Sequence, residues 1–171
     1  MLIDVKSKYI LETILKNVKN KRKLKLIKHN KILLEKLNIS KEDFEVYNKL
    51  KEFNNIFNTD IKDIDIKELN LSHKKITNEK LKYLKNIEFK ELEILDLRAN
   101  KISDIKVLEN VNFKELKKLY LERNNISDIK VLENVNFKEL KVLDLNGNNI
   151  DKNKNYSIIS KMKSKIEEFY L

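Results

Sequence analysis

The stretch Leu92–Ile102, with the sequence LEILDLRANKI, recurs twice at intervals of 24 residues. Residues 116–126 have the sequence LKKLYLERNNI and residues 140–150 the sequence LKVLDLNGNNI. All three copies keep leucine at the first, fourth and sixth positions, asparagine at the ninth and isoleucine at the eleventh. Recurrence at one fixed spacing predicts a stack of similar units, each of which buries its apolar side against its neighbours.

An earlier, degenerate copy precedes these three. Residues 66–76, IKELNLSHKKI, keep the apolar positions but have Lys74 where asparagine is expected, and they lie 26 residues before the next copy. In front of them, residues 60–66 alternate between polar and apolar side chains, which predicts an additional leading strand.

The order of side chains within one copy indicates how it folds. In Leu95-Asp96-Leu97, alternate side chains of an extended chain point to opposite faces, so the leucines should enter the core. The apolar residues between Ile102 and Phe113 should bring the chain back over that core, with Ser103 and Asp104 capping a short helix. We expect a structural asparagine ladder, in which side-chain amides satisfy buried backbone groups of adjacent coils, formed by Asn100, Asn124 and Asn148.

The repeats resemble the leucine-rich-repeat family over about half of the chain. The resemblance implies an α/β fold: a leucine-rich-repeat solenoid, a short horseshoe whose parallel strands line a concave face that the family uses mostly to bind proteins. The segment Asn-x-Ile-Ser-Asp-Ile resembles internalins and the leucine-rich-repeat regulatory subunit of type-one protein phosphatase. We expect three parts: a helical N-terminal segment (1–59), the repeats (60–153) and a C-terminal capping helix (154–171), with a docking helix as the alternative for the last.

The duplicated repeats indicate where a partner would bind. Residues 102–117 and 126–141 are identical, whereas the strand positions that follow each of them differ wherever the side chain should point outward. Drift after a recent duplication is the alternative explanation, but drift alone would scatter the changes. We therefore predict that a protein partner contacts the concave face, at Ile94, Asp96, Arg98, Lys118, Tyr120, Glu122, Arg123, Val142, Asp144 and Asn146.

The N-terminal segment leaves two alternative functions open. Between residues 16 and 36, Glu35 is the only acidic residue among many lysines, so residues 16–31 could bind nucleic acid or an anionic surface. Aromatic residues are absent there, which disfavours nucleic acid. Residues 2–40 also resemble an F-box, which would make the chain a substrate adaptor for a ubiquitin ligase, although the usual proline is missing. A helical cap on the first coil is the interpretation we favour.

Composition excludes several other classes of function. The chain has 171 residues, a net charge of +10, one glycine, no proline and no cysteine. Disulfides, thiolate metal sites and glycine-rich phosphate loops are thereby excluded. The two histidines, His29 and His73, have no metal-ligand partners at suitable spacing. We expect no enzyme activity, no cofactor and no metal, no membrane-spanning segment, an intracellular location and a chain that is monomeric on its own.

Overall fold

The structure is a computed structural model that describes residues 41–171. The repeats lie in one compact unit, Lys49–Leu171, of the chain. Its elements are α1 (Lys41–Phe57), β1 (Glu68–Asn70), α2 (Asn78–Leu81), β2 (Ile94–Asp96), β3 (Lys118–Tyr120), β4 (Val142–Asp144), α3 (Tyr156–Lys165) and β5 (Glu168–Tyr170). Single 3₁₀ helices stand between strands at Lys82–Asn86, Lys106–Asn110 and Lys130–Glu133.

The five strands form one parallel sheet in the order of the sequence, β1 to β5. The central leucines of the first four strands are direct Cα partners, so Leu69, Leu95, Leu119 and Leu143 form one row. This register matches the sequence spacing, because neighbouring copies of the motif lie side by side. The expected α/β leucine-rich-repeat solenoid is confirmed by this arrangement.

The core lies between the strands and the return segments. The strand leucines and the return residues Ile102, Ile105, Leu108, Val111 and Phe113 are all buried, as predicted. The expected cap is wrong: the N-cap of the second 3₁₀ helix is Ile105, which makes no side-chain cap bond, although the Asp104 carboxylate accepts the Lys106 backbone N–H at 2.9 Å. Each coil thus covers one face of the sheet and leaves the opposite face, called the strand face below, uncovered.

Phenylalanines at equivalent repeat positions continue the core into helix α1. Phe89 and Phe113 lie 6.4 Å apart between ring centres, and Phe53 of α1 packs edge-on against Phe89 at 5.4 Å. Phe57, one turn further along α1, lies 4.4 Å from Phe53. Because these four rings are almost completely buried, α1 closes the apolar end of the first coil from Leu50 onward, as an end cap must.

A lysine side chain of the first coil binds the backbone just after the end of helix α1. Asn58 adopts a left-handed backbone conformation (φ 51°), and the Lys74 ammonium donates to its carbonyl at 2.8 Å. Lys74, which stands where the later copies have asparagine, therefore links the first coil to the end of α1.

The strand expected over residues 60–66 is wrong. The side chain of Asn54 donates to the Ile61 carbonyl at 2.8 Å and accepts from the Ile61 N–H at 2.9 Å. Because both backbone groups of Ile61 are engaged by α1, they cannot pair with a strand. The alternation has another cause: Ile61, Ile64 and Ile66 pack against the core from an irregular segment.

The helix expected over the C-terminal residues is only partly right. Helix α3 ends at Lys165, and residues 168–170 form the fifth strand, paired in register with β4. The apolar side chains of Ile166, Phe169 and Leu171 have the spacing of the first half of the repeat motif, which explains the strand. Their spacing also resembles a helical stripe, and this caused the error.

Residues 1–40 lie outside the described residues, and with them several predictions. These are the N-terminal helices, the F-box-like segment 2–40 and the basic stretch 16–36.

Candidate binding face

The strands are held in register by asparagine side chains inside the turns. The Asn100 amide oxygen accepts from the Ile76 N–H at 2.9 Å, and its NH₂ donates to the carbonyls of Leu71 (2.9 Å) and Leu97 (2.8 Å). The same arrangement is repeated one and two coils later by Asn124 and Asn148. These bonds fix the spacing of the side chains on the strand face, because each ties one strand end to the preceding coil.

Three rows of side chains run across the strand face. The first row, at the start of each strand, contains Glu68, Ile94, Lys118, Val142 and Glu168. The middle row, at the strand ends, contains Asn70, Asp96, Tyr120, Asp144 and Tyr170. A third row, two residues further along each coil, contains Ser72, Arg98, Glu122 and Asn146.

After the third row each coil turns through a left-handed residue. His73, Ala99, Arg123 and Gly147 occupy equivalent positions, with φ between 53° and 66°. Glycine adopts this conformation without steric cost, whereas the other three adopt it because the stacked coils require the turn. Arg123 is consequently exposed beside Gly147, where no side chain competes for space.

Most coils have a short side chain in the middle row that closes a local turn, and one coil has a tyrosine instead. Asn70, Asp96 and Asp144 each accept a hydrogen bond from the backbone N–H two residues later, at 2.9–3.0 Å. Such turns use the short oxygen-bearing side chains of asparagine and aspartate. A phenol is too long to close one, so Tyr120 stands at this position without that local stabilisation.

Asp96 and Arg98 form an ion pair that is arranged against Tyr120. The Arg98 guanidinium donates to both carboxylate oxygens of Asp96, with Nη2 2.6 Å from Oδ2 and Nε 3.0 Å from Oδ1. Its Cζ lies 5.1 Å from the centre of the Tyr120 ring, close enough for a cation–π interaction. Hydrogen bonding and charge from Asp96 raise the pKa of Arg98, so the guanidinium is a permanent cation.

The prediction that Asp96 is free to contact a partner needs correction. Only 3% of Asp96 is exposed, because the Arg98 side chain covers its carboxylate. Val142 is also buried, at 7%, and its short side chain lies in register between the longer Lys118 and Glu168. The other predicted contact residues are exposed or half-buried: Ile94, Arg98, Lys118, Tyr120, Glu122, Arg123, Asp144 and Asn146.

Strand β5 adds two residues to the face that sequence reasoning missed. The Tyr170 hydroxyl donates to the Glu168 carboxylate at 2.8 Å, and Tyr170 is 44% exposed. This hydrogen bond and the nearby charge of Glu168 raise the pKa of Tyr170, and Asp144 in the adjacent strand acts in the same direction. Tyr170 thus extends the middle row beyond Asp144, and the motif Ile166-x-x-Phe169-x-Leu171 was the signal that could have located it.

The strand face is acidic although the chain is basic. It carries three basic side chains, Arg98, Lys118 and Arg123, against five acidic ones, Glu68, Asp96, Glu122, Asp144 and Glu168. Arg123 pairs with Glu122 at 3.1 Å and Arg98 with Asp96, which leaves the carboxylates of Glu68, Asp144 and Glu168 against the single ammonium of Lys118. The whole chain carries a net charge of +10.

Within residues 41–171, no group of three acidic or histidine side chains is arranged to hold a metal ion. No helix in this part of the chain is long and apolar enough to cross a membrane.

Two solved structures from Listeria monocytogenes are similar to the chain. An internalin (inlF) is 28% identical, with a TM-score of 0.49, over 72% of this chain and 35% of its own. An internalin C2 (inlC2) is 22% identical, with a TM-score of 0.42, over 63% of this chain and 51% of its own. The chain therefore spans about a third to a half of their lengths. No protein-family model and no curated protein matches the sequence.

Both TM-scores are below 0.5, so the fold rests on the parallel strands and the asparagine ladder of the chain itself. Both neighbours are named internalins, and neither decides which group of leucine-rich-repeat proteins the Asn-x-Ile-Ser-Asp-Ile segment belongs to. Neither bears on the resemblance to the phosphatase subunit or to an F-box.

Proposed function

We propose that the chain is a non-catalytic interaction module that binds a protein partner on the strand face. One observation carries the proposal. Sixteen consecutive residues are identical in two neighbouring coils, and the next four differences, at positions 118, 120, 122 and 123 against 142, 144, 146 and 147, all lie on the strand face or at its turn. The leucines and asparagines between them, which build the fold, are unchanged.

Tyr120 favours partner binding as the cause of these differences. It replaces the aspartate or asparagine that closes the turn at this position in three other coils, so it gives up a local hydrogen bond. A role in binding would account for a tyrosine at this position, because tyrosine is among the residues that contribute most at protein interfaces. Arg98 fixes its ring from one side and so reduces the side-chain entropy lost on binding.

The test is an affinity purification with variants that alter one face at a time. The face variant carries Lys118→Glu, Tyr120→Ala and Arg123→Glu and leaves the Asp96–Arg98 pair intact. The control carries Lys106→Glu, Tyr83→Ala and Lys130→Glu at exposed positions of the return side. The two variants have the same change in charge, and circular dichroism checks that both are folded.

A protein that is retained by wild type and by the control, lost by the face variant, and then shown to bind the purified chain directly would support the proposal. Equal retention by all three chains would contradict it and would direct attention to the return side or the terminal segments.

A further inference from the structure

On strands β2 and β3, a carboxylate and an aromatic ring of the chain together bind one of its own arginine side chains. Asp96 at the end of β2 receives the guanidinium of Arg98, which also lies 5.1 Å from the ring centre of Tyr120 in β3. Asp96 and Tyr120 are direct Cα partners in the sheet. A carboxylate, a guanidinium and an aromatic ring are thus combined across two neighbouring strands.

The same positions recur two strands later, without the cation. Asp144 at the end of β4 is the direct Cα partner of Tyr170 in β5, as Asp96 is of Tyr120. Its Oδ1 accepts the backbone N–H of Asn146 at 2.9 Å, as Asp96 accepts that of Arg98 at 3.0 Å. The carboxylate and the ring therefore have equivalent backbone positions in the two strand pairs. The residue two positions after the aspartate differs, since Asn146 stands where the first site has Arg98.

The carboxylate of Asp144, beside Tyr170, is more exposed and has more negative charge around it than the carboxylate of Asp96, beside Tyr120. Asp96 is 3% exposed beneath Arg98, whereas Asp144 is half-buried and its carboxylate has no basic partner among the described ion pairs. The first-row neighbour is Lys118 beside Tyr120 but Glu168 beside Tyr170. The second position therefore combines the half-buried carboxylate of Asp144 with an exposed ring, that of Tyr170, whose hydroxyl donates to the carboxylate of Glu168 at 2.8 Å.

We propose that the Asp144–Tyr170 site binds an arginine side chain of the protein partner, which completes the arrangement that Arg98 completes within the chain. The inference rests on the proposed function and specifies the chemistry of the partner. Arginine fits better than lysine, because a planar guanidinium can engage a carboxylate with two parallel hydrogen bonds while it stacks on a ring. The acidic excess of the strand face would attract such a partner.

The chain itself indicates two substitutions that preserve the fold. Asp144→Asn removes the charge but keeps the turn, because Asn70 closes the equivalent turn in β1 at 3.0 Å. Asn146→Arg copies Arg98 and should place a guanidinium from the chain itself on Asp144. The matched control is Asp128→Asn on the return side, where the side-chain oxygen likewise accepts a backbone N–H, from Lys130 at 2.9 Å.

The test is a titration of the isotopically labelled full chain with N-acetyl-arginine amide, followed by NMR at Tyr170 and Asn146. We expect saturable binding in the millimolar range in wild type and in Asp128→Asn. Binding should weaken about tenfold in Asp144→Asn, because a charge-assisted pair becomes a neutral one. It should be lost in Asn146→Arg, and N-acetyl-citrulline amide, which is uncharged, should not bind.

Absence of saturable binding to wild type, or equal affinity for Asp144→Asn and wild type, would overturn the arginine site. This result is separable from the proposed function, which depends on the Lys118, Tyr120 and Arg123 variant. A partner lost by that variant, combined with no response to the arginine amide, would keep the binding face and reject the arginine site.

Discussion

The side-chain amide of Asn124 donates to the carbonyl of Leu97, 27 residues earlier in the chain, at 3.0 Å. It also donates to Leu121 of its own coil, and its oxygen accepts the Ile102 N–H at 3.1 Å. Asn124 is 6% exposed, so water cannot replace these partners. One side chain therefore satisfies three buried backbone groups in two coils.

Asn124→Ala should destabilise the fold by about 3 kcal/mol, because it leaves three buried backbone groups without partners. Asn148→Ala should cost less, since Asn148 is half-buried and water can reach its partners. Urea denaturation followed by circular dichroism measures both. Asn125→Ala, at the exposed neighbouring position, is the control and should change the free energy of unfolding by less than about 0.5 kcal/mol. Equal effects at positions 124 and 125 would refute the structural role of the asparagine.

Arg98→Ala should cost about 1–2 kcal/mol, because it removes two charge-assisted hydrogen bonds to Asp96 and the cation–π contact with Tyr120. Arg123→Ala should change the free energy of unfolding by less than about 0.5 kcal/mol, since Arg123 forms only a surface pair with Glu122. The double variant Asp96→Asn/Arg98→Ala should be about as stable as Arg98→Ala, because asparagine at this position still closes the turn, as Asn70 does. Unfolding in urea at neutral pH measures all three. If Arg98→Ala lowers the free energy of unfolding no more than Arg123→Ala does, the Asp96–Arg98 pair contributes no more than a surface contact.

Stability should fall as the solution becomes acidic, partly through Glu93. Lys117 and Lys67 bind its carboxylate at 2.8 and 3.1 Å, and these hydrogen bonds and charges lower the pKa of Glu93 below its ordinary value of 4.5. A lowered pKa in the folded state adds stability above about pH 4.5, and this stability is lost as the pH falls through the folded-state pKa. Glu93→Gln should therefore flatten this part of the stability profile. Thermal unfolding of both chains between pH 3 and pH 6 would show it, and parallel profiles would contradict the assignment.

Gly147→Ala should cost about 1 kcal/mol, because residue 147 has φ 66° and a Cβ there would lie 3.4 Å from Cγ of Arg123. Asn149→Ala, two residues later and exposed, serves as the control and should be close to neutral. Thermal unfolding distinguishes them. A neutral Gly147→Ala would mean that the turn adapts to a side chain, as it does at Ala99.

The sequence predicted the repeats, their register and the buried leucines, because these depend on a spacing that any copy of the motif must repeat. It failed where a local pattern had two physical explanations. Residues 60–66 alternate like a strand, but Asn54 binds Ile61 and prevents pairing. The apolar residues after Lys165 fit both a helix and a strand, and the sheet edge offered by β4 decided between them.

The candidate face was less predictable than the fold. The alternation of side chains placed the right positions on the face, but it could not show that Arg98 would cover Asp96. That ion pair depends on the distance between side chains two residues apart in a turn, which no periodicity encodes. Tyr170 was missed for a different reason, since it follows from recognising β5.

The asparagine ladder also bears on how the chain folds. Its bonds between coils join residues 22 to 29 positions apart, about the length of one repeat. Each new coil therefore closes a loop of the same short length on the coil before it, with a similar entropic cost each time. Folding can start at any pair of coils and propagate like a zipper. Lengthening such a stack by duplicating a coil, as residues 102–117 and 126–141 record, adds stability without raising the entropic barrier to forming the first pair.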